Sequence, residues 1–210
     1  VEDGRSFVRR SPEKYQVLQA TLVDTWASTA AGAFALSENN LYTKEAFTDY
    51  LSHLSDDGIL AFTRWGFDPP RESLRLLVLA RQALLEMGEK EPWRHVIVVR
   101  EDVQKLKKWG ATDTVIISRK PFPVEDLERA GLAAMQGNFE IMYLPGQAPD
   151  NPFTTFLTTK DPAAFFESYR YDVTPVHDDR PFFFYTVQPR DVLSFKSSDT
   201  RGNADFKINL

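Results

Sequence analysis

Asp24 ends the apolar run Tyr15-Gln16-Val17-Leu18-Gln19-Ala20-Thr21-Leu22-Val23, and a carboxylate at the end of such a run can act as a general base. The same side chain can equally cap the loop that follows it. Thr21, inside that run, and Thr63, in Ala61-Phe62-Thr63-Arg64-Trp65, offer hydroxyls that hydrogen-bond but do not act as bases near neutral pH. Asp3-Gly4 sets an acceptor beside a residue with no Cβ, which suits a tight turn or a close approach to the backbone. The three histidines, His53, His95 and His177, have no partner at metal-ligand spacing, so no metal site is expected. His177-Asp178-Asp179 reads as a loop with ion pairs to Arg180 rather than as a metal corner. No serine sits in a G-x-S-x-G context, and the absence of cysteine removes thiolate chemistry and disulfides.

The elements that position these residues alternate in type. Short β-branched runs read as strands at Tyr15–Thr21, Ile59–Trp65, His95–Val99, Thr114–Ser118 and Phe139–Leu144. Between them, Thr43 is an N-cap for a helix through Leu54 with Phe47, Leu51 and Leu54 on one stripe. A helix from Pro69-Pro70, with Leu74, Leu77, Val78, Ala80, Leu84 and Leu85 inward, ends at Gly88. Another covers Val124–Met135. Phe7–Arg10 makes a short helical turn, residues 25–40 a loop or irregular helix, and 101–110 a turn of helix and a loop. Alternation of this kind predicts an α/β fold with a parallel sheet, its ligand crevice at the carboxyl ends of the strands, where Asp24 and the segment after Phe62 fall. From Pro145 onward, prolines and aromatics increase and periodicity fades. The expected division is therefore an α/β domain over 1–144 and an extension over 145–210 packed on it, with one helix at Pro162–Tyr169. Phe182–Tyr185 reads as an edge strand or a packed aromatic run, buried against the sheet.

A formal charge of −5, with only the short basic cluster Lys105-Leu106-Lys107-Lys108, argues against a nucleic-acid partner. An apolar share of 42% is enough for a substantial core, and no apolar run reaches the length of a bilayer span.

These residues resemble the spermidine synthase group of class I S-adenosylmethionine-dependent transferases, over roughly residues 1–66 and more loosely to 144. Tyr15, Val17, Leu18 and Asp24 follow that group's strand-end motif, and Leu41-Tyr42-Thr43-Lys44-Glu45-Ala46-Phe47 follows the start of its next helix. Asp178-Asp179-Arg180-Pro181-Phe182 is similar to a segment of bacterial spermidine-synthase-like proteins fused to membrane-spanning segments. The resemblance implies a Rossmann-like, methyltransferase-type sheet whose glycine-rich loop would precede Asp3, so that this chain is a back portion of the domain. It implies S-adenosylmethionine or its decarboxylated form as cofactor and a small amine as substrate. Asp3 would contact the adenine, with Gly4 giving room. Asp24 would act on the acceptor, and Thr21 and Thr63 would line its pocket.

The departures matter. Gln16 replaces an acid, Thr21 replaces the first catalytic aspartate, Thr25 replaces a proline and Phe47 stands where a tyrosine is frequent. Where the group places an amine-holding glutamine, the corresponding stretch is Ala61-Phe62-Thr63-Arg64-Trp65, and its Arg64 would repel a diamine if it pointed inward. The chain on its own is accordingly expected to be a poor enzyme, and a degenerate, non-catalytic binding or assembly module is the competing expectation. The resemblance also implies a cytoplasmic domain, with membrane-spanning segments in the parent as an alternative. The strand Tyr15–Thr21 is expected to present a bare edge through which copies self-associate.

Overall fold

The computed structural model describes residues 3–23, 38–101, 111–147 and 149–188. Asp24, together with most of the 25–40 and 101–110 segments and the chain after 188, lies outside the described residues.

In chain order the elements are α1 (Gly4–Arg10), β1 (Tyr15–Thr21), α2 (Lys44–Ser52), β2 (Leu54–Gly66), α3 (Glu72–Glu86), a 3-10 turn (Pro92–His95), β3 (Val96–Arg100), β4 (Ala111–Ser118), α4 (Val124–Gln136), β5 (Glu140–Tyr143), α5 (Pro152–Thr158) and α6 (Pro162–Ser168). The five strands form one sheet in the order β1-β2-β4-β3-β5. The expected all-parallel pairing is corrected here. Among the described residues only β1 and β2 pair parallel, while β4 runs antiparallel to both β2 and β3, and β5 antiparallel to β3. The physical reason lies in connection length. The link between β3 and β4, residues 101–110, is shorter than the roughly a dozen residues or more that a parallel crossover takes.

Local chemistry explains the helices. Thr43 Oγ1 accepts from Ala46 N at 3.1 Å and caps α2, and Ala46, Phe47, Tyr50 and Leu51 then fall on one buried face. Helix α3 starts at Glu72 rather than at the prolines, and Gly88, at φ +93°, lets the chain leave it in the left-handed conformation. The helix α5 was not anticipated. Asn151 caps it and Pro152 opens it, which are ordinary start signals, and its Phe153, Phe156 and Leu157 are buried. Phe182–Tyr185 forms no strand; Phe183 and Phe184 are buried, so the run is a packed aromatic one.

Strand β2 divides the molecule. Its Leu60, Phe62 and Arg64 face the main core, with Phe47 stacked on Phe62 at 5.2 Å between ring centres. That core also takes in α3, α5 and residues Phe165, Val173, Phe183 and Phe184, so 145–188 shares the core of the sheet. On the opposite face, Ile59 and Ile116 meet Leu127 and Ala130 of α4 in a smaller cluster around Ile97, Phe122 and Leu144. No helix among the described residues is long and apolar enough to cross a membrane.

Candidate functional site

Thr21 and Thr63 come together. They are register partners on the one parallel pair among the described residues, at the carboxyl end of both strands, and Thr63 pairs in turn with Thr114 of β4. A row of three threonines therefore crosses the sheet on the face away from the main core. Thr63 Oγ1 and Thr114 Oγ1 lie 3.0 Å apart, and Gln19 Nε2 donates to Thr21 Oγ1 at 3.2 Å. Immediately beyond the row, Leu22 adopts φ +45°, while its N–H donates to Thr63 O at 3.3 Å. A leucine in the left-handed region is uncommon and strained, and such strain gathers at binding sites.

Asp3 and Gly4 stand at the start of a helix rather than in a free turn. Asp3 is the N-cap of α1, where its Oδ1 accepts from Ser6 N at 3.0 Å. Hydrogen bonding from the Ser6 side chain and then from its backbone N–H holds the carboxyl below its usual pKa, so Asp3 is ionised at neutral pH. A Cβ built at Gly4 would meet no heavy atom within 4 Å, so nothing inside the described chain demands glycine there.

The position of α1 follows from its contacts. Arg5 reaches Asn40 O and Thr43 Oγ1 at the start of α2, whereas Lys14 and Tyr15 bond Ser52 O and His53 O at its end. The two helices thus point the same way. Because α2 carries the chain from the carboxyl end of β1 back to the amino end of β2, both helix starts lie at the end of the sheet that holds Thr21 and Thr63.

Arg64 does not point into this face. It is 1% exposed, turned into the main core, and its Nε and Nη2 donate to Glu72 Oε2 at 2.8 and 2.6 Å, with its guanidinium 4.9 Å from the Phe184 ring centre. The repulsion of an amine expected from Arg64 is therefore removed: strand alternation carries it to the other side, and Glu72 neutralises it.

Sequence reasoning missed a buried ion pair at the same end of the sheet. Asp113, 0% exposed on β4, accepts from Arg100 Nε at 2.6 Å, from Arg100 Nη2 at 3.0 Å and from Ser73 Oγ at 2.6 Å. Arg100 also donates to Phe67 O at 3.0 Å. Burial opposes the Arg100 charge, but the hydrogen bonds and charge of Asp113 outweigh it and raise the guanidinium pKa. Gly66 leaves room for the pair, since a Cβ there would stand 2.6 Å from Asp113 Oδ1. The signal in the sequence was an aspartate at an inward position of an alternating strand.

The His177–Arg180 loop is structural. His177 Nδ1 lies 3.1 Å from Glu45 Oε1, and Asp178 receives Arg5 at 2.7 and 2.9 Å and Thr43 Oγ1 at 2.6 Å. Among the described residues no group of histidines and carboxylates is placed to hold a metal ion. A crevice of about 450 Å³ lies on the C-terminal segment, lined by Arg75, Asp172, Pro175, His177, Arg180 and Tyr185 among others, and it includes none of Asp3, Thr21 or Thr63.

No protein-family model matches the chain, and no curated protein does. Among solved structures, one described as a probable spermidine synthase from Corynebacterium glutamicum is similar, at 16% identity and a TM-score of 0.45. The match covers 75% of this chain and 50% of that one, so the chain spans about half of its length.

Proposed function

We propose that the chain forms the acceptor side of a small-molecule-binding α/β domain of spermidine-synthase type, which binds S-adenosylmethionine or its decarboxylated form and alkylates a small amine. One observation carries the reading. The starts of α1 and α2, the threonine row and the strained Leu22 gather at the carboxyl end of the parallel pair, where open α/β sheets bind ligands. Asp3 fits the adenosyl end of such a donor, because it is exposed and ionised and spends Oδ1 on its own helix. The donor, when bound, supplies an electrophilic carbon on sulfur. The chain supplies the rest: Thr21 and Thr63 hydrogen-bond and orient the amine, and Asp24, two residues beyond Leu22, holds the ammonium and takes its proton.

A second reading has its own support. The threonine hydroxyls already bond their neighbours, and the carboxylate of Asp113 is spent on Arg100 and Ser73. A non-catalytic binding module has the same design. The two readings separate when the full-length protein is incubated with the decarboxylated donor and a small diamine, and products are read by mass spectrometry. Aminopropyl transfer ends the non-catalytic reading. No transfer, from a protein that nevertheless binds the thioether product, ends the catalytic one.

A further inference from the structure

The Asp178-Asp179-Arg180-Pro181-Phe182 segment is not accounted for by the threonine row, yet it touches the helix that carries Asp3. Helix α1 has seven residues, too few to hold together on intrinsic propensity, and only Arg5 and Val8 of it are buried. Its anchor is therefore Arg5. That guanidinium donates to Asp49 Oδ2 at 2.9 Å, to Asn40 O at 3.0 Å, to Thr43 Oγ1 at 3.4 Å and, as a two-pronged pair, to Asp178 Oδ1 and Oδ2 at 2.7 and 2.9 Å. Asp178 in turn accepts from Thr43, the cap of α2, and its N–H donates to Glu45 Oε2 at 3.1 Å. Helices α1 and α2 and the C-terminal segment thus meet on one arginine–aspartate pair.

We infer that Arg5 and Asp178 are positioning residues: together they fix the Asp3–Gly4 turn relative to the start of α2, and so make the donor-contact geometry depend on the docked C-terminal segment. The link to the donor rests on the reading of Asp3 given above; the mechanical coupling does not. Arg5 follows Gly4 directly, and Asp3 O accepts from Phe7 N at 3.1 Å, so tilting or fraying of α1 moves the Asp3 carboxylate with it. The fork geometry is essential, because a bidentate arginine–carboxylate pair fixes orientation as well as distance, which a lysine would not.

Hydrogen exchange by NMR tests the coupling. In Asp178→Ala the amides of Phe7–Ser11 are expected to exchange at least about tenfold faster, the scale of losing charge-assisted hydrogen bonds to a buried guanidinium. The α3 amides should not change, and Arg5→Lys should behave like Asp178→Ala. Asp179→Ala, at a residue that is not among the partners of Arg5, should leave the α1 amides as they are. Unchanged Phe7–Ser11 exchange in Asp178→Ala, or equal acceleration throughout α3, overturns the inference. The same samples, titrated with the thioether product of the donor, separate the two claims. Gly4 and Ser6 resonances that respond in the parent protein and lose that response in Asp178→Ala support both. Faster α1 exchange without any response in the parent leaves the coupling standing and ends the donor reading.

Discussion

The two faces of β2 are built on opposite plans. Toward the main core, charged groups are buried and paired, and they hold distant parts of the chain together. Arg75, 1% exposed, gathers the carbonyls of Asp172, Phe182, Phe183 and Tyr185, the last at 2.7 Å. Burial lowers its pKa to about 10, which still leaves it charged at neutral pH. On the other face, near β1, the side chains are neutral, partly exposed and bonded to adjacent side chains, and Leu22, one of two non-glycine residues with positive φ among the described residues, follows them. The comparison separates roles. The first face specifies the fold through polar groups that are costly to leave unpaired, and the second keeps a surface on which little depends for stability and a ligand can act.

Arg75→Ala should break the comparison hardest if it is wrong. It strips the donors from four carbonyls, that of Phe183 buried and the others partly buried, at about 1–3 kcal/mol each, so a loss of roughly 4–6 kcal/mol is expected. Urea unfolding measures it; a loss under about 1 kcal/mol, the scale of a surface change, would erase the distinction between the faces. Acid should act next. The hydrogen bonds from Arg5 and then Thr43 depress the Asp178 carboxyl, so the folded pKa lies below the unfolded one. The stability from that pair is present above the ordinary value of 3.8 and is lost as pH falls through the folded value. A pH series on Asp178→Asn should show a shallower acid slope than the parent; identical slopes would count against the pairing.

The smallest effect on stability belongs to the open side. Val17, 56% exposed, sits on β1, whose only strand partner among the described residues is β2, and Tyr15–Thr21 carries no charge or proline to blunt that edge. Self-association through β1 is the expectation. Val17→Lys should change the unfolding free energy by less than about 0.5 kcal/mol while converting associated species to monomer in light scattering. A parent protein that is already monomeric at high concentration contradicts it.

The same contrast governs what could be read in the sequence. Thr43 as a cap and Phe47 as core were legible because capping and helical stripes are local patterns. Thr21 and Thr63 are singled out by the resemblance, and nothing local fixes their register. The place of β4 was hidden, since inserting an antiparallel strand between β2 and β3 depends on non-local pairing. The arginines were hidden for a related reason. Arg64 finds Glu72 eight residues away, and Arg75 finds Phe183 O across 108 residues, so neither partner is announced by local spacing. Helix α5 carried its signals in Asn151 and Pro152, but a short helix with three threonines looks like loop composition.

The central claim is that the carboxyl end of the β1/β2 pair, with the start of α1, is where a small ligand binds. Amide shifts in an isotope-labelled sample titrated with the thioether product of the donor test it most directly. The account predicts saturable shifts, in fast exchange and weaker than micromolar, concentrated at Gly4, Ser6, Thr21, Leu22 and Thr63. Shifts confined to the crevice around Arg180 and Tyr185, or none at millimolar ligand, would contradict it.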